Sequence, residues 1–203
     1  MTFSPIQLPD KAADIVKQHF LNSIDVKQKV IETCMPDILE ATRIIALALK
    51  QQNKLLICGN GGSAADSQHL AAEFISVLTQ DFLRPGLSAI ALTTDSSILT
   101  ASANDFGFEG IFARQVQALG RPGDVVIGIS TSGNSKNVVK ALEYACEHDM
   151  HTIALIGAGG KMGEIAEVAI RIPSTVVQHI QEAHITVAHI ICYLAERALF
   201  PEL

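Results

Sequence analysis

Residues 55–73 run Leu55-Leu56-Ile57-Cys58-Gly59-Asn60-Gly61-Gly62-Ser63-Ala64-Ala65-Asp66-Ser67-Gln68-His69-Leu70-Ala71-Ala72-Glu73, and their reading decides the fold. The apolar start, Leu55–Ile57, reads as a buried strand. Gly59, Gly61 and Gly62 permit a tight turn and close backbone approach. Ser63 takes the place expected of a helix N-cap. His69 and Glu73 then fall at i and i+4, on one helical face. A strand, an anion-accepting turn and a candidate metal pair thus share one supersecondary unit. That combination predicts a phosphorylated small molecule handled beside a metal or an acid/base pair.

The pattern repeats outward from this unit. Strands are expected at Lys54–Cys58, Ser88–Leu92, Asp124–Ile129, Thr152–Ile156 and Val168–Ile172. Helices are expected at Ala64–Leu78, Phe108–Leu119, Lys136–His148, Met162–Ala166 and Ile180–Phe200. Short apolar strands alternating with helices predict a doubly wound α/β fold, with a mainly parallel five-stranded sheet flanked by helices. Ligands of such sheets collect beyond the carboxyl ends of the strands. Two helices lead into this core, over residues 11–34 and from Pro36 to Gln52. The first carries an apolar stripe of Ile15, Val16, Phe20, Ile24, Val26, Val30 and Ile31. The stripe either packs onto the domain or meets another subunit, and its apolar content favours the subunit contact. The expected organisation is one domain over residues 1–203, with a helical oligomerisation segment over 1–52 and an α/β core over 53–203.

Totals narrow the functional classes. The chain has 203 residues, enough for one well-buried domain, with 48% hydrophobic and 18% charged residues. A net charge of -6 argues against a general nucleic-acid binder. Cys34, Cys58, Cys146 and Cys192 are too widely spaced for a cysteine-based zinc or redox motif. Cys58 and Cys192 lie in apolar contexts and read as buried thiols. Met1–Lys11 holds Pro5, Pro9 and Asp10 and no apolar leader, and no run is long enough to span a membrane. No signal peptide is expected, and the expected location is cytoplasmic.

Three further segments carry chemistry. Ser130-Thr131-Ser132-Gly133-Asn134-Ser135 lies between a strand and the helix that begins near Lys136. Its hydroxyls and amides at a helix N-terminus suit an anion, although one capping serine in a polar turn would look similar. Neither a Walker A nor a Gly-x-Gly-x-x-Gly pattern is present, so a phosphate monoester is expected over a nucleotide. Asn104-Asp105 follows the strand Ser88–Leu92 and can reach the same sheet end. These two residues serve sugar hydroxyls as well as they serve a turn. The C-terminal helix places His179, Gln181, Glu182, His184 and His189 in an apolar background. One such histidine reads as a hydrogen-bonded core residue. Three of them support a site equally well.

Taken together, Cys58-Gly59-Asn60-Gly61-Gly62-Ser63, His69-x-x-x-Glu73, Asn104-Asp105-Phe106-Gly107-Phe108, Ser130–Ser135 and Gln181-Glu182-x-His184 resemble the phosphoheptose isomerases of the sugar isomerase (SIS) fold. The resemblance runs over most of the chain. It implies one zinc ion per active site, held by His69, Glu73, Gln181 and His189. It implies substrate contacts from Asn60, Gly61, Gly62, Glu73, Asn104, Asp105, Ser130, Thr131, Ser132, Ser135 and Gln181, and a homotetramer. It also implies conversion of sedoheptulose 7-phosphate to D-glycero-D-manno-heptose 7-phosphate for lipopolysaccharide heptose synthesis. No nucleic-acid or membrane partner is expected.

An enediol route needs a base near both carbons, for which Glu73 is the candidate, and an acid at the oxygens, for which His189 is. A carboxylate held by zinc is a weaker base, so Glu73 can fill both roles only by loosening from the ion. Gln181 and His189 lie roughly 12 Å apart along a helix. They either straddle one ion or come from two copies of the chain. Where many relatives carry arginine, this chain has Val77 and His179; Arg84 is the candidate to compensate. Two other readings stand beside the isomerase. One is a non-catalytic SIS-fold adaptor that binds the bacterial replication initiator, in which the carboxylate at Glu73 can be absent. The other is a phosphosugar-sensing domain, which would need a DNA-binding module.

Overall fold

The computed structural model describes residues 6–203; residues 1–5, part of the stretch in which no signal peptide is expected, lie outside the described residues. Five strands form one sheet: β1 (Leu55–Gly59), β2 (Ala89–Ala91), β3 (Val125–Ser130), β4 (His151–Ile156) and β5 (Val168–Arg171). Their order is β2-β1-β3-β4-β5 and every pairing is parallel. β1 and β3 sit side by side in register, Leu55 against Val125 and Gly59 against Ile129. The chain leaves β1 towards one edge and returns at β3 towards the other. This reversal opens a crevice beyond the carboxyl ends of β1 and β3.

Eight α-helices accompany the sheet: α1 (Ala12–Thr33), α2 (Met35–Lys50), α3 (Gly62–Ile75), α4 (Ser96–Phe106), α5 (Ile111–Leu119), α6 (Lys136–Glu147), α7 (Met162–Ile165) and α8 (Val177–Leu199). The strand pleat sorts them between the two faces. Leu55, Ile57, Val125, Ile127, Ile129, Ile153 and Leu155 pack with α1, α2, α3 and α8. Leu56, Cys58, Val126, Ala154 and Ile156 point the other way, into α5, α6 and α7. β1 and β3 are buried throughout, which is why they read as unbroken apolar runs. Each fully buried leucine or isoleucine stabilises the fold by about 1.5–3 kcal/mol. Cys58 and Cys192 are fully buried free thiols, and burial pushes Cys58 up to about 12.

One expectation needs correction. Ser63 is not the N-cap: the helix begins at Gly62, capped by Gly61, and Ser63 is buried inside its first turn. Gly61 has φ 56°, a conformation that costs glycine little and other residues more. Asn104 and Asp105 lie at the end of α4, a helix not assigned from the sequence. Asp95 caps this helix by accepting from the Ile98 amide at 2.9 Å, a signal present in Thr94-Asp95-Ser96-Ser97-Ile98. The apolar stripe of α1 is also mostly not packed within the chain. Val26 and Val30 are buried, whereas Ile15, Val16, Phe20, Ile24 and Ile31 are exposed. Among the described residues no helix is long and apolar enough to cross a membrane.

Candidate active site

The glycine loop after β1 and the hydroxyl loop after β3 meet at the crevice. Asn60 and Asn137 join them by two reciprocal amide hydrogen bonds of 2.9 and 2.8 Å. Asn137 is buried in the first turn of α6 and was not singled out in the sequence. The only sign of it was an amide two residues past Ser135. In the hydroxyl loop, the Ser130 hydroxyl lies 2.9 Å from that of Ser135 and 3.3 Å from that of Ser132. Ser135 is the N-cap of α6, yet its side chain makes no capping bond. Its hydroxyl therefore faces the loop, where the helix dipole favours an anion.

A cavity of about 280 Å³ opens beside the glycine loop, lined by Asn60, Gly61, Thr93, Thr100, Phe108 and neighbouring apolar residues. Ala103 and Phe108 both line it. Between them stand Asn104 and Asp105, exposed to solvent, with the Asn104 amide donating to Asp105 at 2.8 Å. On the other side, Gln181 of α8 lies directly against Gly62. A Cβ at position 62 would press on the Gln181 amide, so a larger residue there would displace that side chain.

A second group forms farther along α3. His69 Nε2 lies 3.0 Å from Glu73 Oε1 and 3.3 Å from His189 Nε2. The two imidazoles meet edge to face, their centroids 4.9 Å apart. One ligand atom from each of the three residues lies within 4.8 Å of the others. A tetrahedral zinc ion with bonds of roughly 2.0–2.1 Å holds its ligand atoms about 3.3 Å apart, so this donor set fits zinc in both chemistry and spacing. Gln181 is not part of the trio in the same chain. From Gly62, which it touches, to His69 is seven residues, roughly 10 Å of helix. The structure thus gathers His69, Glu73 and His189 in one place. It gathers Asn60, Gly61, Gly62, Gln181 and the 130–135 loop in another.

The three histidines of α8 part company. His189 joins the trio. His179 turns to Glu182, 3.4 Å away. His184 is fully buried; its Nε2 donates to the Ile156 carbonyl at 3.1 Å, and burial lowers it to about 4.

Arg84 is not available for phosphate within the chain, as its guanidinium is committed elsewhere. It pairs with the fully buried Glu196 at 3.2 Å and donates to the carbonyls of Glu73, Phe74, Ser76 and Pro85. These include carbonyls of the last turn of α3 that have no helical partner. Arg84 therefore closes the end of the helix that carries Glu73.

Residues 18–157 match the SIS domain family. A phosphoheptose isomerase 2 from Campylobacter jejuni is 53% identical over 188 residues, covering 91% of this chain and 92% of the relative. A phosphoheptose isomerase from Roseiflexus is 52% identical over 181 residues, covering 89% and 91%. The solved phosphoheptose isomerase of Neisseria gonorrhoeae superposes with a TM-score of 0.84 at 44% identity, over 90% of this chain and 97% of that one. The chain belongs to the SIS-domain family and, within it, to the phosphoheptose isomerases, which are phosphosugar isomerases.

Proposed function

We propose that the chain interconverts sedoheptulose 7-phosphate and D-glycero-D-manno-heptose 7-phosphate, with zinc as its ion. The observation that carries this reading is the convergence of His69, Glu73 and His189 on one point. A protein that only binds a phosphosugar has no need of such a cluster. Zinc, when bound, supplies Lewis acidity towards the oxygens of the sugar.

The residues of the chain do the rest. Ser130, Thr131, Ser132 and Ser135 hold the phosphate at the start of α6 and fix the distant end of the sugar. Asn60, Gly61, Gly62, Gln181, Asn104 and Asp105 take its hydroxyls. Glu73 moves the proton between C1 and C2, and His189 exchanges a proton with their oxygens. Glu73 would also help hold the ion, which would weaken it as a base while bound.

The trio and the loops lie two helical turns apart in one chain, and the α1 stripe is exposed. Both features support a homotetramer in which one copy supplies His69, Glu73 and His189 and another supplies the loops. Gln181 would then come with the loops and complete the zinc ligands. In this reading residues 1–52 are the assembly segment of one domain spanning residues 1–203. The protein works in the cytoplasm, on the route to lipopolysaccharide heptose.

The test is turnover of sedoheptulose 7-phosphate by purified protein, with and without zinc. Conversion that Glu73→Gln abolishes while the fold persists is the expected result. Absence of turnover under every metal condition, in folded protein, would favour the adaptor that binds the replication initiator.

A further inference from the structure

A second imidazole–carboxylate group lies where α1 meets α8, apart from the trio. His19 Nε2 is 3.0 Å from Glu182 Oε1, and His179 Nδ1 is 3.4 Å from Glu182 Oε2. The two rings are tilted by 51°, with centroids 4.5 Å apart. One ligand atom from each of the three residues lies within 4.8 Å of the others. We propose that His19, His179 and Glu182 form a second binding site for a divalent transition metal, and that the ion pins α1 to α8.

Three features carry the assignment. Two imidazoles and one carboxylate are the donors that zinc, nickel and copper prefer, and the trio around His69 repeats the same set. His179 is buried while His19 and Glu182 are partly exposed, so one ring is pre-oriented and the ion has a route from solvent. The Ser23 hydroxyl donates to Glu182 Oε2 at 2.5 Å and fixes the carboxylate from behind, as outer partners of metal ligands do.

Lys27 sets the affinity. Its ammonium donates to Ser23 at 2.7 Å and lies 4.0 Å from Glu182 Oε2, where it competes with a cation. The second ion should therefore bind more weakly than the first.

The experiment is titration of metal-free, full-length protein with zinc, read by calorimetry and by metal analysis after dialysis. It rests on stoichiometry and stands apart from turnover. The expected result is two equivalents per chain, one in His19→Ala with isomerase turnover retained, and one in His69→Ala. Lys27→Met should tighten the weaker equivalent several-fold, a gain that a purely structural hydrogen-bond network does not produce. Equal stoichiometry in wild type and His19→Ala, or no zinc bound by His69→Ala, would overturn the proposal.

Discussion

Asn60 and Asn137 exchange two amide hydrogen bonds across the carboxyl ends of β1 and β3. The glycine loop after β1 and the start of α6 are thereby held as one body. Asn137 Oδ1 also accepts from the Val138 amide at 3.0 Å. Asn137→Ala removes all three bonds and leaves both ends of the Asn60 amide without their partner. A loss of about 1–3 kcal/mol is expected from chemical denaturation. KM for the phosphosugar should rise more than kcat falls, because the pocket loosens while the catalytic trio stays intact. A drop in kcat at unchanged KM would show that the pair does not organise the binding pocket.

Arg84 and Glu196 form an ion pair with both side chains fully buried. Glu196→Gln leaves the guanidinium without its counter-charge, and loss of about 3–5 kcal/mol is expected. Replacing both, as Arg84→Met with Glu196→Leu, should recover only part of that loss. The carbonyls of Glu73 and Ser76 would still lack their donor. Denaturant midpoints of the three proteins decide the matter, and a double variant as stable as wild type would refute the capping role of Arg84.

His184 gives the fold an acid-sensitive element. Burial lowers it to about 4, and only its Nε2 is bonded, so the folded state holds it neutral. An unfolded histidine takes up its proton below about 6.5. Between those values the unfolded chain binds more protons, so stability falls as the pH falls from about 6.5 to about 4. The whole effect is about 3 kcal/mol, at roughly 1.4 kcal/mol for each pKa unit. His184→Leu should flatten the pH dependence of the denaturant midpoint in this window. An unaltered slope would assign the acid sensitivity to other groups. Glu182 is depressed and acts lower: its contribution is present above about 4.5 and is lost as the pH falls towards 2.

Sharing of the site between copies predicts complementation. Glu73→Gln lacks the base, and a Ser130→Ala/Ser135→Ala variant lacks part of the phosphate loop. Each alone should be nearly inactive. Dissociated and reassembled together, they should regain a fraction of wild-type turnover, because some sites then receive both intact halves. Phe20→Glu with Ile24→Glu should lower the sedimentation coefficient and turnover together, since charge on the exposed α1 stripe opposes assembly. No recovery in mixed oligomers would place both halves of the site in one chain.

Much of this was legible in the linear chain. The strands that read as buried apolar runs are the strands observed, because a strand covered on both faces must be apolar at every position. The leading helices and the two polar loops followed from periodicity and from turn-forming residues. α4 was missed: Asn104-Asp105 drew attention as sugar ligands, and the Asp95 cap eleven residues before its end went unread. Arg84 was misassigned because sequence shows a charge and not its partner, and Glu196 lies 112 residues away.

Local chemistry alone therefore determined the parallel sheet, the phosphate-type loops and the pairing of His69 with Glu73, since each depends on neighbours within a few residues. Which histidine of α8 joins that pair was decided only in three dimensions. His179, His184 and His189 are alike as letters: His179 meets Glu182 within α8, His184 meets the Ile156 carbonyl of β4, and the packing of α8 on α3 brings only His189 to His69. The same packing parts Gln181 from His189, because helical rise sets their separation and no local preference can shorten it.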